Sequence, residues 1–248
     1  RTIIGDDSYL VSPADGEVIK VEEVDGPKEL GLENKKFKKI SIFMNVFDCH
    51  VNRTPCSGIV EAEAGVMLPT LSNFLAKNGL QGGEWAVGIP GTLGGAIYMN
   101  AGIGNLSLAK NLISVEVINN KTHEKLEIEK KDINFEYRFS SFQRNDLTII
   151  SARLHFEPNG NLEQLIQTTK NNLKLKTETQ PYHQPSFGSV FKNPKNNFAA
   201  KLIDDMGLKG FKIGGAEIST MHSNFIVNTS LASSKDIYEL ITVIQQKV

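Results

Sequence analysis

A glycine-rich stretch between Gly88 and Gly102, GIPGTLGGAIYMNAG, constrains this chain more than any other segment. Five glycines occur in fifteen residues, and a residue without a Cβ lets the backbone turn sharply and approach a ligand closely. Successive N–H groups in such a turn converge on a concave anion site, to which Thr92 and Asn100 add side-chain donors. The pattern is typical of a loop that holds a phosphate-bearing cofactor, and equally of a tight bend that only brings strands together.

The composition limits the kinds of partner that the chain can bind. Its 27 basic residues are balanced by 28 acidic ones, which argues against a nucleic-acid groove. No apolar run approaches the roughly eighteen residues of a membrane span, and no signal-peptide pattern opens the sequence. The cysteines, Cys49 and Cys56, lack a metal-ligand pattern and are expected to be reduced thiols. We therefore expect a cytoplasmic protein without a transmembrane segment, metal site or nucleic-acid partner; the sequence does not indicate an oligomeric state.

The N-terminal part of the chain has β character. Residues 9–24 predict two strands joined by a turn at residues 14–16, ADG. Residues 39–47, KISIFMNVF, are almost entirely apolar and predict a buried strand. From Leu68 the apolar spacing becomes helical, and the predicted helix runs up to Gly79.

The rest of the sequence mixes strands and helices. A hairpin is predicted for LISVEVINN and KLEIEKKDI, a further strand for TIISARLHFEP, and a helix for residues 161–176. Near the end we predict a helix in AAKLIDDMG that stops at Gly207, a strand in FIVN, and a helix in SSKDIYELITVIQQKV capped by Ser234. The predicted class is α+β, with a β-rich N-terminal segment and a small C-terminal α/β unit.

Four further motifs follow the glycine-rich stretch: YRFSSF (137–142), SFGSVFKNP (186–194), LIDDMGLKG (202–210) and HSNFIVN (222–228). With these motifs, in this order, the chain resembles the UDP-N-acetylenolpyruvoylglucosamine reductase (MurB) family over about residues 60–248. The resemblance implies a partial FAD-binding domain at residues 59–183. It also implies a truncated substrate-binding domain of α/β type at residues 184–248.

The resemblance further implies a reaction and its setting. Members of this family are oxidoreductases in which NADPH reduces FAD and the flavin passes a hydride to the enolpyruvyl double bond of enolpyruvyl-UDP-N-acetylglucosamine. An acid of the protein protonates the other alkene carbon. The reaction belongs to peptidoglycan synthesis, and so to cell-wall biogenesis, cell shape and cell division, in the bacterial cytoplasm. A flavoprotein with a small nucleotide-sugar substrate is therefore expected.

The resemblance assigns roles to individual residues. Ser189 matches the proton donor, and Arg138 matches the arginine that steadies the substrate carboxylate, a role suited to a two-pronged guanidinium. Without the resemblance, Ser189 is equally a turn serine, Arg138 a surface ion-pair residue and His222 an ordinary core histidine. The positions expected to contact substrate are Tyr137, Lys192, Asn193, His222 and Asn224. The positions expected to hold the flavin are Gly88, Ile89, Pro90, Gly91, Thr92, Gly94, Gly95, Asn100 and Gly102.

The N-terminal part carries a second resemblance. SPADG at residues 12–16 and KISIFMNVFDCHVNRTPCSG at residues 39–58 are similar to phosphatidylserine decarboxylase, whose proenzyme cleaves itself to form a pyruvoyl group. Asp15 and His50 match two residues that assist this cleavage. The serine that becomes the pyruvoyl group lies in a Leu-Gly-Ser-Thr-like motif, which this sequence lacks. A pyruvoyl group is therefore not expected, and without that serine the sequence favours Asp15 as a turn residue and His50 as a polar residue at a strand end.

The two resemblances meet near residues 57–63 without a polar linker, which predicts a composite chain. A gene fusion, an assembly artefact and a deliberate chimera all fit this pattern, and the opening Arg1 suggests a fragment. Residues 1–58 replace a second glycine-rich flavin loop of the family, and the sequence ends before its C-terminal catalytic glutamate. Impaired turnover is therefore expected. The alternatives are a decarboxylase of phospholipid synthesis and a non-catalytic composite fragment.

Overall fold

The computed structural model describes residues 17–25, 36–43, 51–53, 58–158 and 160–248. The chain divides into two compact units, which we call unit 1 (residues 1–169) and unit 2 (residues 170–248). Both units contain helices and antiparallel sheet, which confirms the predicted α+β class. Within the described ranges, none of the helices combines the length and the apolar character that crossing a bilayer requires.

Unit 1 is rich in short antiparallel strands. Its strands are β1 (Glu17–Asp25), β2 (Lys36–Phe43), β3 (Val51–Arg53), β4 (Ile59–Glu63), β5 (Gly102–Ile103), β6 (Leu106–Ser107), β7 (Leu112–Asn119), β8 (Lys125–Glu129), β9 (Phe135–Glu136), β10 (Phe139–Ser140) and β11 (Leu147–His155). Its helices are α1 (Leu68–Lys77), α2 (Leu93–Tyr98), α3 (Leu108–Asn111) and the start of α4 (Leu162–Thr179), with short 3-10 helices at Glu84–Gly88, Lys130–Asp132 and Ser141–Arg144.

Five strands form the main sheet of unit 1 in the order β3-β4-β11-β7-β8, each antiparallel to its neighbours. One face of the sheet is buried because apolar and polar residues alternate along the strands. In β4, for example, Val60 and Ala62 are buried, whereas Glu61 and Glu63 are exposed. Strands β7 and β8 confirm the predicted hairpin, and β11 confirms the predicted strand that follows it.

Helices α1 and α2 lie on the apolar face of this sheet. Helix α1 begins at Leu68 with proline in its first turn, and Gly79 follows its end with a φ of +69°, as the sequence predicts. Helix α4 confirms the helix predicted for residues 161–176 and extends beyond it. Helices α1 and α2 join the core of the sheet through Leu68, Leu71, Leu75, Leu93 and Ile97.

Strands β1 and β2 form a separate two-stranded sheet. Their strand character agrees with the sequence, but the burial predicted for residues 39–47 is wrong where the structure describes it, since Ile40 is 58% exposed. Val18, Ile19 and Val21 are exposed as well, because among the described residues this hairpin pairs only with itself. The residues Asp15, Cys49, His50 and Cys56, singled out in the sequence, lie outside the described residues.

Unit 2 has a small sheet and a core of its own. Its strands β12 (Ser186–Ser189), β13 (Lys212–Ile213), β14 (Ala216–Ile218) and β15 (Phe225–Asn228) pair antiparallel in the order β12-β15-β14-β13. Helices α5 (Ala199–Asp205) and α6 (Ser234–Lys247) pack on the sheet and confirm the two predicted helices, as β15 confirms the predicted strand. The core consists of Ile203, Leu208, Ala216, Ile218, Ile226, Leu240 and Ile244.

The start of α6 differs by one residue from the prediction. Ser233, not Ser234, is the N-cap, because its hydroxyl accepts a hydrogen bond from the N–H of Asp236 while its own N–H donates to the Asp236 carboxylate. The same carboxylate accepts from the N–H of Gly215 at 3.2 Å, which ties the helix to the β13–β14 turn. The N–H groups of Ser233 and Gly215 favour the charged carboxylate and lower the pKa of Asp236.

Candidate functional site

The glycine-rich segment of unit 1 begins at Gly88, which closes a 3-10 helix and is buried, and continues into α2. Most of its predicted N–H donors are used inside the protein rather than pointing at a ligand. The engaged pairs are Ile89 N–H with the carbonyl of Ala86 (3.0 Å), Gly94 N–H with the carbonyl of Ala64 (2.9 Å) and Gly95 N–H with the hydroxyl of Thr92 (3.4 Å). The Gly94 bond holds the start of α2 against the chain that precedes α1, and the other two bonds are local.

The remaining donors of this segment are the N–H groups of Gly91 and Thr92, since Pro90 has none. Neither N–H has a hydrogen-bond partner within the part of the chain that the structure describes. Gly91 has a φ of +146°, which a residue with a side chain rarely adopts, and nothing lies within 4 Å of the place where its Cβ would be. The anion cradle expected from the sequence is therefore reduced to two adjacent amides beside open space.

Asn100 presents a buried acceptor without a donor. It is only 9% exposed, and its amide nitrogen donates to the carbonyl of Glu136 at 2.9 Å. That bond fixes which atom of the amide is the oxygen. Among the described residues no donor reaches Asn100 Oδ1. Because buried polar atoms are almost always hydrogen-bonded, this oxygen points to a donor supplied by a ligand or by water.

Arg138 lies in the tight turn between β9 and β10, next to Tyr137. Its φ is +55°, a left-handed conformation that is uncommon for arginine. One guanidinium nitrogen donates to the carbonyl of Gly102 at 2.9 Å, and the guanidinium carbon lies 4.9 Å from the centre of the Tyr137 ring. Tyr137 is 53% exposed, which leaves much of its ring at the surface. The structure thus joins Asn100, Gly102 and Arg138 into one cluster of unit 1.

In unit 2, Ser189 ends strand β12 and is exposed. Gly188 before it has a φ of +64°, and the register against β15 shifts between Ser186 and Ser189. The side chain of Asn224 holds the segment that follows, because its amide accepts from the N–H of Phe191 and donates to the carbonyl of Phe191, both at 2.9 Å. Asn224 is thereby engaged with the backbone beside Ser189.

The other predicted substrate contacts of unit 2 differ in their surroundings. Lys192 and Asn193 are exposed, and the side-chain oxygen of Asn193 accepts from the N–H of Ala199 in the first turn of α5. His222 is half-buried, packs edge-on against Phe225 at 4.9 Å between ring centres, and accepts from the N–H of Asn224 through Nδ1. These contacts connect Lys192–Asn193 to α5 and His222 to β15.

The pKa of His222 is lowered, chiefly because burial disfavours the imidazolium, with the charge of Lys209 adding to the effect. In the unfolded chain His222 therefore takes up its proton at a higher pH than in the folded protein. The contribution of His222 to the free energy of unfolding decreases as the pH falls from about 6.5 through the lowered pKa of the folded protein. We expect urea unfolding of a His222→Gln variant to lose this part of the pH dependence. Identical slopes of stability against pH for the two proteins would contradict the assignment.

Gly94 and Gly95 are adjacent in α2 but face different surroundings. A Cβ at Gly94 would lie 2.8 Å from Cβ of Ala64, whereas one at Gly95 would lie 3.6 Å from the hydroxyl of Thr92. We expect Gly94→Ala to lower the free energy of unfolding by about 1–3 kcal/mol through overpacking. Gly95→Ala should leave it unchanged or raise it by up to about 1 kcal/mol, since alanine favours helix. Urea denaturation checks both variants, and equal effects would refute the difference.

Two side chains that the sequence reading did not single out, Ser140 and Gln143, contact this cluster of unit 1. Both donate to the carbonyl of Tyr98, at 2.7 and 2.9 Å. Ser140 is part of the YRFSSF motif and Gln143 follows it. Their closeness to Arg138 in the sequence could therefore have indicated that they belong to the same site. Their shared acceptor lies more than forty residues earlier in the chain, which no local pattern reveals.

Two family models match parts of the chain. The phosphatidylserine decarboxylase model matches residues 1–80, and the model for the C-terminal domain of UDP-N-acetylenolpyruvoylglucosamine reductase matches residues 180–248. Both resemblances, and the composite character that they imply, are thereby confirmed. The decarboxylase match continues past residues 57–63 and includes α1, whose apolar face belongs to the core of unit 1.

Individual proteins and a solved structure of the reductase family are also similar to this chain. A UDP-N-acetylenolpyruvoylglucosamine reductase of Prochlorococcus marinus subsp. pastoris is 75% identical over 192 residues, which are 77% of this chain and 65% of that protein. The reductase of Prochlorococcus marinus strain NATL2A is 42% identical over 97% of this chain and 81% of its own length. The crystal structure of the reductase (MurB) from Thermus caldophilus superimposes with a TM-score of 0.70 and 34% identity, covering 76% of this chain and 68% of that one. This chain therefore spans 65% of the length of the first of these relatives.

Proposed function

The chain belongs to the UDP-N-acetylenolpyruvoylglucosamine reductase family, and we propose that it acts as an FAD- and NADPH-dependent reductase of enolpyruvyl-UDP-N-acetylglucosamine, with turnover impaired because residues 1–58 replace a flavin-binding loop of the family. The observation that carries the proposal is the cluster in unit 1. There Gly102 of the family's glycine-rich stretch contacts Arg138 of its YRFSSF motif, and Asn100 contacts Glu136, the residue that precedes this motif. Two motifs that lie far apart in sequence thus contribute to one place.

The residues present in unit 1 fit a flavin nucleotide. The N–H groups of Gly91 and Thr92 are donors without protein partners among the described residues, as the diphosphate of FAD needs. The buried oxygen of Asn100 is an acceptor for a hydroxyl or ring N–H of the same molecule. When bound, FAD supplies the two electrons that NADPH provides for reduction of the substrate double bond.

The remaining roles are assigned to side chains of each unit. Arg138 binds the substrate carboxylate and stabilises the negative charge that develops on it during reduction, because its guanidinium stays charged and forms paired hydrogen bonds. Ser189 donates the proton to the alkene carbon that does not receive the hydride. Its hydroxyl is exposed on a backbone that Asn224 holds in place. Lys192 is proposed to bind the substrate diphosphate, with Tyr137, Asn193 and His222 as further contacts.

The proposed setting follows from the same relationship. Residues 59–183 are proposed as the flavin-binding part and residues 184–248 as the substrate-binding part, preceded by the decarboxylase-like residues 1–58. The reaction would serve peptidoglycan synthesis in the bacterial cytoplasm. A decarboxylase function is not proposed, because the sequence has no Leu-Gly-Ser-Thr-like motif to provide a pyruvoyl group.

The proposal is tested by following NADPH absorbance in the presence of the protein, FAD and enolpyruvyl-UDP-N-acetylglucosamine. Oxidation that requires all three components, and that decreases in an Arg138→Ala variant, supports it. The matched control is Arg144→Ala, since Arg144 is an exposed arginine of the same region whose guanidinium lies over the Phe139 ring instead. NADPH oxidation that does not depend on the enolpyruvyl substrate would overturn the proposal.

A further inference from the structure

We propose that Gln143 is a positioning residue, which acts on the substrate carboxylate by holding the backbone of Arg138 in its left-handed conformation. The inference rests on the proposed function, because it concerns the orientation of the arginine assigned to the substrate. Gln143 itself is not proposed to touch substrate or flavin.

The side-chain amide of Gln143 bridges two parts of unit 1. Its nitrogen donates to the carbonyl of Tyr98 at 2.9 Å and to the carbonyl of Arg138 at 3.3 Å, and it lies 3.7 Å from the sulfur of Met99. An amide nitrogen has two hydrogens, so both carbonyls can be served at once. Gln143 therefore connects the C-terminal end of α2 directly to the turn that carries the guanidinium.

The turn needs such support because its conformation is unfavourable. Arg138 has a φ of +55°, where the Cβ of an L-residue crowds the following carbonyl. Such a residue keeps this conformation only when its surroundings hold it there, and these residues concentrate at functional sites. The guanidinium is held at its other end by the carbonyl of Gly102. Gln143 fixes the backbone and Gly102 fixes the charged group, which together aim the side chain.

A role in fold stability alone does not account for the hydrogen bonds of Gln143 as well as a positioning role does. The carbonyl of Tyr98 already accepts a hydrogen bond from Ser140, whose side chain is completely buried and closer, at 2.7 Å. That carbonyl would remain satisfied without Gln143. Gln143 also donates to the Arg138 carbonyl, whereas the Ser140 hydroxyl donates to Tyr98. Loss of Gln143 should therefore affect Arg138 more than the stability of the fold.

The test compares Gln143→Met with the matched control Gln164→Met. Methionine keeps the length of the side chain and removes both donors, and Gln164 is an exposed glutamine on α4 of the same unit. The first readout is the NMR signal of the Arg138 side-chain Nε–H, identified by its absence in Arg138→Lys. In Gln143→Met we expect this signal to move to the position of exposed arginines, and in Gln164→Met to stay. An unchanged Arg138 signal in Gln143→Met would overturn the proposal.

The second readout separates positioning from general damage. Affinity is measured for enolpyruvyl-UDP-N-acetylglucosamine and for UDP-N-acetylglucosamine, which lacks the carboxylate. Gln143→Met should weaken the first about tenfold and leave the second unchanged, because only the carboxylate contact depends on Arg138. Equal weakening of both ligands would overturn the proposal. If the unmodified protein binds neither ligand, the proposed function fails, and the NMR signal still decides whether Gln143 positions Arg138.

Should Gln143→Met fail to fold, Gln143→Glu provides the same test. Its carboxylate keeps the shape of the amide but places an acceptor against the carbonyls of Tyr98 and Arg138 in place of a donor. The Arg138 signal is expected to move as in Gln143→Met, and to return toward its original position at low pH, where the glutamic acid regains one O–H donor. If the Arg138 signal in Gln143→Glu does not change with pH, the proposed contact between residue 143 and the Arg138 carbonyl is contradicted.

Discussion

Replacing Ser189 by alanine is expected to lower substrate turnover by about 100- to 10,000-fold, the range found when a positioned proton donor is removed. Bleaching of the flavin by NADPH should be unaffected, because that half of the reaction needs no proton from Ser189. Return of the flavin colour on addition of enolpyruvyl substrate under anaerobic conditions should be lost. Absorbance spectroscopy of the two halves therefore distinguishes a chemical role of Ser189 from poor folding.

The structure supports a selective effect at this position. Ser189 is exposed, and the backbone around it is held by β15 and by the side chain of Asn224, not by its own hydroxyl. Ser186→Ala is the matched control, since Ser186 is an exposed serine of the same strand, and it should retain turnover within about twofold. Equal turnover by Ser189→Ala and the unmodified protein would show that another group donates the proton.

Asn224→Leu is expected to cost about 2–4 kcal/mol of unfolding free energy, because it leaves both the N–H and the carbonyl of Phe191 without their partner. Leucine has the same branched shape and is larger, so no cavity forms. Asn228→Leu is the matched control, since Asn228, at the end of the adjoining strand β15, is exposed and loses one hydrogen bond at the surface, to the N–H of Ala232. Urea denaturation measures both variants, and a loss below about 1 kcal/mol for Asn224→Leu would contradict the proposed clamp.

The sequence predicted most elements of the fold because their periodicity and end signals are local. The helix at Leu68, the β7–β8 hairpin and the helix that stops before Gly207 all follow from patterns within twenty residues or so. The cap of α6 was misplaced by one position because two serines are adjacent, and only the reciprocal bond with Asp236 distinguishes them. The exposure of β2 was missed because an apolar run predicts burial only when something covers it.

Less of the candidate site could be predicted from the sequence, because its contacts join segments that lie far apart in the chain. The glycine-rich stretch predicted a loop that can lie close to a ligand. It did not predict that the N–H of Gly94 donates a hydrogen bond to the carbonyl of Ala64. The arginine of YRFSSF was identified by resemblance alone. Its left-handed backbone, and its support by Gln143, depend on how the β9–β10 turn meets the end of α2. Such tertiary constraints override the local preferences of individual residues.

We propose that unit 1 holds FAD, with its diphosphate on the N–H groups of Gly91 and Thr92. An NMR titration of the isotopically labelled protein with FAD tests it most directly, because each backbone amide reports on its own hydrogen bond. If FAD binds there, the Gly91 and Thr92 amide signals are expected to shift progressively to saturation. The amide of Gly79, already bonded to the carbonyl of Ala76, should stay in place. If saturating FAD leaves the Gly91 and Thr92 signals unmoved, the FAD diphosphate does not bind at these two amides.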